Sequence, residues 1–142
     1  MIWKTDFTLE GINGMLENTL SKTLGIEFTG FGDDWLEARM PVDERTKQPL
    51  GLLHGGASVA LAETLGSIGG VLCLENMTQN SVVGVEINAN HLRSAREGYV
   101  RGRAKPIKIG RSIQVWQIHI HNQEDKLLCV SRLTLAIVPI MA

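Results

Sequence analysis

Residues 48–74 read QPLGLLHGGASVALAETLGSIGGVLCL, 27 positions that hold a single ionised group at neutral pH, the carboxylate of Glu63. A run this long and this apolar must be covered by something. Pro49 and Gly51 interrupt regular structure, so residues 48–53 are expected to form a loop. His54-Gly55-Gly56 permits a tight turn, and from Ala57 onward Val59, Ala60, Leu61, Leu65, Ile68, Val71 and Leu72 clothe nearly every side of a helix. A helix apolar all round either spans a membrane or is enclosed by protein. The run has spanning length. However, an acid at mid-membrane costs about 2.5–3.5 kcal/mol, five glycines lie between Gly55 and Gly70, and no basic cluster adjoins the run. The expectation is a buried helix.

Glu63 has small or polar neighbours one turn away in Val59, Ala60, Gly66, Ser67 and, further on, Gly70, a stripe that leaves space beside the carboxylate. An unpartnered buried charge is costly, so such an acid is either paired elsewhere for structural reasons or set in a functional cleft. The helix start offers a second chemical element. Its first N–H groups lack intrahelical acceptors and suit a developing oxyanion, and Gly55 and Gly56 would let a carbonyl come close. Gly55 and Glu63 stand eight residues apart, about 12 Å along a helix rising 1.5 Å per residue. One substrate carbonyl cannot meet both on one helix. If both act on it they come from two antiparallel copies, which predicts a two-fold dimer with two composite sites.

The 142 residues fit one domain spanning 1–142. With 44% hydrophobic and 20% charged residues the chain is neither disordered nor repetitive, and its net charge of −1 argues neither for nor against a polyanionic partner. No charged-then-apolar leader is visible at residues 1–6, so a cytoplasmic location is expected. Thr8 can cap a first helix whose Leu9, Ile12, Leu16 and Leu20 share a face. Residues 25–31 and 35–42 read as a hairpin, with Leu36, Ala38, Met40 and Val42 alternating against Trp35, Glu37 and Arg39. After the long helix, four extended segments follow at 81–92, 99–108, 113–121 and 126–138. A sheet with one long apolar helix implies an α+β architecture in which the sheet curls about that helix.

Between His91 and Arg111 lie seven basic residues (Arg93, Arg96, Arg101, Arg103, Lys105, Lys108 and Arg111) and one acid, Glu97. Such a local positive field suggests a phosphate-bearing ligand. The alternative is a solvated strand face, since Arg101, Arg103 and Lys105 alternate as one would. Nucleic acid lacks a stacking platform here, with one tyrosine in the chain. His119 and His121 share a strand face but have no third metal ligand nearby. Cys73 and Cys129 sit among apolar residues and read as free buried thiols. There is no Gly-x-Ser-x-Gly elbow, so a serine triad has no support.

QPLGLLHGGASVALAETLGS, with MIWK, MPVDERTKQP, EINANHLRSAREG and QVWQI, resembles the hotdog-fold acyl-CoA thioesterases of the Glu-dependent 4-hydroxybenzoyl-CoA thioesterase type. Within them it is most similar to the branch holding the 1,4-dihydroxy-2-naphthoyl-CoA hydrolases of menaquinone synthesis and the enterobactin-pathway proofreading thioesterases. The resemblance implies an antiparallel sheet wrapped around the helix, edge-to-edge dimers and a tetramer of two dimers. It implies Glu63 as nucleophile or general base and the Gly55 N–H as oxyanion donor. Gln48 and His54 would orient substrate or water, and Ser67 would place a hydroxyl near the attacking group. Gly84, the turn His91, Leu92, Arg93 and Ser94, and the turn Lys108, Ile109, Gly110 and Arg111 would contact coenzyme A. No metal or cofactor is implied, because coenzyme A is part of the substrate. The acyl group could be aromatic, a medium or long alkyl chain, or carried on a carrier protein. Gly66, Ser67 and Gly70 leave room for a flat ring and tilt the expectation to aroyl-CoA. Two other classes remain open, a hotdog dehydratase using His54 with Glu63 and a non-catalytic acyl-CoA-binding module.

Overall fold

In the computed structural model, which describes residues 1–141, the alternation at residues 35–42 is realised as strand β2 (Leu36–Pro41), in which Leu36, Ala38 and Met40 are fully buried while Arg39 faces solvent. It pairs antiparallel with β1 (Glu27–Phe31). The remaining strands are β3 (Asn80–His91), β4 (Tyr99–Ile109), β5 (Ile113–His121) and β6 (Leu127–Pro139). All six form one antiparallel sheet in the order β1-β2-β4-β5-β6-β3. The first part of the chain forms α1 (Leu9–Met15) and α2 (Leu20–Thr23), and the central apolar run forms α3 (Gly55–Leu72).

The structure corrects the expected first helix. Thr8 caps α1 as anticipated, but the helix ends at Met15. Asn18 adopts φ 62°, a left-handed conformation that Asn tolerates, and Thr19 then caps a separate α2. The His-Gly-Gly segment is also corrected. It is no turn: Gly55 and Gly56 are the first two residues of α3, and His54 is its N-cap, accepting the Gly56 N–H on Nδ1 at 2.7 Å.

One side of α3 packs on the sheet. Leu61 and Leu65 are fully buried against a layer that includes Ile118, Ile120, Trp116 and Leu133. The helix glycines allow this close approach. A Cβ at Gly66 would come within 2.5 Å of Leu133 Cδ2, one at Gly70 within 2.6 Å of Leu135 Cδ1, and one at Gly69 within 2.8 Å of the Trp116 ring. Gly66 and Gly70 therefore make room for the sheet and not for a ligand, which removes the two glycines from the stripe read from sequence, while its Val59, Ala60 and Ser67 do line the space beside Glu63. Gln114 locks the contact, donating through Nε2 to Gly70 O (3.2 Å) and accepting from Trp116 Nε1 (2.8 Å). Near the N-terminus, Trp3 stacks on Trp116 at 6.4 Å between ring centroids. Gly69→Val is expected to overpack this layer and destabilise the fold by about 1–3 kcal/mol in urea unfolding, and an unchanged midpoint would contradict it.

The opposite side of α3 is not enclosed within one chain. Val59, Ala60, Glu63, Thr64, Ser67 and Ile68 are only half-buried, and half of the helix is buried overall. They form the wall of a groove.

Candidate active site

The groove, about 570 Å3, runs between α3 and the segment joining α1 to α2. Met15, Leu16, Leu20, Val59 and Ile68 give it apolar walls, and Glu63 and Ser67 stand in it together. Among the described residues Glu63 has no ion-pair partner. Its carboxylate lies over Gly84 of β3, where an added Cβ would collide with Oε2. The missing side chain at Gly84, beside a bulge in the β3–β6 register at Gly84/Glu86, creates the seat of the acid. Gly84→Ala is expected to displace the carboxylate and lower kcat by roughly ten- to a hundredfold, since small misplacements of a reacting group are costly. The thermal midpoint should stay near wild type, because only the end of a flexible side chain must shift. An unchanged kcat would contradict this placement.

At the start of α3 the N–H groups are nearly all used. The Gly56 N–H goes to His54 Nδ1, while those of Ala57 and Ser58 reach His54 O at 3.0 and 3.3 Å. Among the described residues, the Gly55 N–H has no backbone or side-chain acceptor. Gly55 lines a cavity of about 220 Å3 together with Gln48, His91, Arg93 and Ser94. Gln48 Oε1 accepts from the Leu50 N–H within its own loop, which leaves the Gln48 amide NH2 as a second donor at this cavity. The His91 ring leans over Gly55, with Nε2 2.9 Å from where a Cβ would stand.

His54 belongs to the other side. Its ring borders a cavity of about 270 Å3 that shares Leu20, Gly56 and Ala60 with the Glu63 groove. Because Nδ1 accepts the Gly56 N–H, the neutral ring carries its proton on Nε2 and presents a donor there. One chain thus places Glu63 and Ser67 in one groove with His54 at the cavity beside it, and Gly55, Gln48, His91, Arg93 and Ser94 around a separate cavity. Ile109, Gly110 and Arg111 line a fourth space, of about 440 Å3, with residues just after α3, such as Cys73 and Asn76, at the far end of the helix. Lys108 and Leu92 are exposed.

The basic segment divides in two. Arg103 pairs with Glu37 (2.9 Å) and stacks on Trp35 at 3.9 Å, Arg101 pairs with Asp125 (2.6 Å) and Glu37 (3.5 Å), and Lys105 pairs with Asp34 (3.6 Å). For these three the solvated strand face is the correct reading. Arg93, Arg96, Lys108 and Arg111 have no ion-pair partner among the described residues, so the positive field available to an anion is smaller than the sequence suggests. Cys73 and Cys129 are free and buried, and burial pushes the Cys73 thiol up to about 11, far from a reactive thiolate. Among the described residues no group of three His, Cys, Asp or Glu side chains could hold a metal. Two features escaped the sequence reading. One is the seat at Gly84 for Glu63, the other a bonded hydroxyl pair, Ser21 and Thr64, on the groove wall. A polar Thr64 beside the lone acid was the available signal for the second.

A six-stranded antiparallel sheet packed on one long helix is the architecture of the hotdog-fold thioesterases. The chain belongs to the thioesterase superfamily, whose family model matches residues 50–129. It is 59% identical over 137 residues to the 1,4-dihydroxy-2-naphthoyl-CoA hydrolase of Escherichia coli, covering 96% of this chain and 99% of that one. It is 52% identical to a proofreading thioesterase of Cronobacter turicensis, covering 96% and 98%. A crystal structure of a thioesterase from Haemophilus influenzae superposes with a TM-score of 0.95 at 58% identity, covering 100% of this chain and 98% of that one. The chain is a thioester hydrolase.

Proposed function

We propose that the chain hydrolyses aroyl-CoA thioesters at two composite sites per dimer, each using Glu63 of one protomer and the Gly55 N–H of the other. The observation that carries this reading is the separation within one chain. Among the described residues, a carboxylate without an ion-pair partner and an N–H without an acceptor sit eight residues apart on one helix, on residues that line different cavities. The β3 edge of the sheet supports the dimer. Among the described residues it is unpaired, and Val83 and Val85 on it are 47% and 59% exposed, an edge that favours pairing with a second copy. A two-fold axis there sets two α3 helices side by side and antiparallel, carrying Glu63 of one toward Gly55 of its partner. A tetramer built from two such dimers extends the same reading.

In the site so formed, the Gly55 N–H and the Gln48 amide polarise the thioester carbonyl. Glu63 then either attacks the carbonyl carbon or takes a proton from a water that attacks it. In the first route the C–S bond breaks as a mixed anhydride forms, and water hydrolyses the anhydride. In the second the carbonyl carbon goes directly to the acid. Either way the thiolate of coenzyme A departs and takes up a proton. His54 and Ser67 orient the attacked group or the water. Arg93, Ser94, Lys108 and Arg111 hold the coenzyme's phosphates and pantetheine, and no metal or cofactor enters.

The similarity to the 1,4-dihydroxy-2-naphthoyl-CoA hydrolase favours a fused aromatic acyl group, and with it a step in menaquinone synthesis. The similarity to the proofreading thioesterase favours a second reading, removal of a wrong acyl group from a carrier protein. Thiol release from naphthoyl-, benzoyl-, octanoyl- and palmitoyl-CoA, and from benzoyl-loaded carrier protein, separates these. The highest kcat/KM on an aroyl-CoA supports the proposal. A higher value on the alkyl-CoA thioesters would overturn the aroyl assignment, and a higher value on the loaded carrier would overturn coenzyme A as thiol carrier.

A further inference from the structure

Besides Glu63, Ser67 and Thr19, the groove is lined by a bonded pair of hydroxyls, Ser21 and Thr64, and the protons of that pair can be traced. Thr64 Oγ1 donates to Ala60 O at 2.7 Å, a bond in which the carbonyl can only accept. Its single proton is therefore committed. Ser21 Oγ lies 2.9 Å from Thr64 Oγ1, so Ser21 must be the donor between the two. Both protons are then spent, and what the pair has left are lone pairs. Ser21 stands on α2 and Thr64 directly follows Glu63 on α3, and both line the groove that holds the acid. Both residues are half-buried, so a ligand group reaching them leaves most of its water behind.

We propose that the Ser21–Thr64 hydroxyl pair is a specificity-determining acceptor that reads a hydroxyl group on the ring of the acyl portion. The proposal rests on the aroyl reading above and adds what the ring must carry. A ring hydroxyl donates to the pair, whereas a ring fluorine of similar size brings no proton and meets only lone pairs. A single hydrogen bond of this kind is expected to favour the hydroxylated substrate by about three- to tenfold in kcat/KM. The tie between α2 and α3 is the pair's structural duty, and the same bond that makes the tie turns the pair into an acceptor.

The test compares 2-, 3- and 4-hydroxybenzoyl-CoA with the matching fluorobenzoyl-CoA thioesters, in the wild type, in Ser21→Ala/Thr64→Val and in Ser21→Thr/Thr64→Ser. The wild type is expected to favour at least one hydroxyl isomer over its fluoro counterpart. The double removal should bring that ratio to about one, whatever its effect on overall turnover, and the hydroxyl-retaining variant should keep the ratio. A wild-type ratio of one for all three isomers overturns the proposal. So does a ratio that survives the double removal. In both cases turnover of the fluoro substrates leaves the aroyl thioesterase reading intact. Absence of turnover on every benzoyl-CoA, with alkyl-CoA thioesters hydrolysed normally, overturns both.

Discussion

Glu63→Ala is expected to lower kcat/KM on an aroyl-CoA thioester by at least about a hundredfold, the scale lost with a positioned acid–base group. The fall should appear mainly in kcat, since the carboxylate acts on the reacting carbon and not on the coenzyme. Stability should hold or rise. Glu63 has no ion-pair partner to leave behind among the described residues, and removing a half-buried unpaired charge relieves a desolvation cost. Steady-state thiol release with a thermal melt on the same preparation checks both halves. Wild-type turnover by the variant would make the acid structural and remove the mechanism. A lost melt would show that the acid holds the fold.

Gly55→Pro is the complementary change and should cost about 10²–10³-fold in kcat, the loss associated with one oxyanion donor. Gly55 is the first residue of α3, with His54 as cap. Proline is well accepted at that position, where the N–H has no intrahelical partner. The residue before it must be extended, and His54 already sits at φ −68°, ψ 130°. The substitution therefore deletes the one N–H in question and leaves the helix start favourable. The added ring carbons press on His91 Nε2, the movable end of an exposed side chain. Near-normal kcat with a normal melt would mean that the Gly55 N–H faces no developing charge.

Local pattern carried most of the architecture. Alternation at Leu36, Ala38 and Met40, the uniform apolar cover of α3 and the turn residues between the last four strands place all six strands within a few residues of their observed bounds. What escaped depends on partners far apart in the chain. The cations of β4 look like a ligand field until Glu37 is found beside Arg103, 66 positions away. Gly66 and Gly70 look like space beside Glu63 until Leu133 and Leu135 are found beneath them. Nor does local pattern show that a Cβ added at Gly84 would meet first the carboxylate of Glu63, 21 positions back in the chain. The His54 cap was hidden because His-Gly-Gly suits a turn and a helix start equally, and only the following ladder decides.

The central claim is that no single chain contains a complete site, and subunit mixing tests it. Glu63→Ala and Gly55→Pro chains are each assayed alone, then unfolded together in equal amounts, refolded and assayed with an aroyl-CoA. In a mixed dimer one site combines both lesions, while the other unites an intact Glu63 with an intact Gly55. Random reassociation makes half the dimers mixed, so activity is expected to return to about a quarter of wild type refolded in parallel. If the mixture, shown by mass to contain mixed dimers, is no more active than the two variants alone, each site lies within one chain and the composite account is wrong.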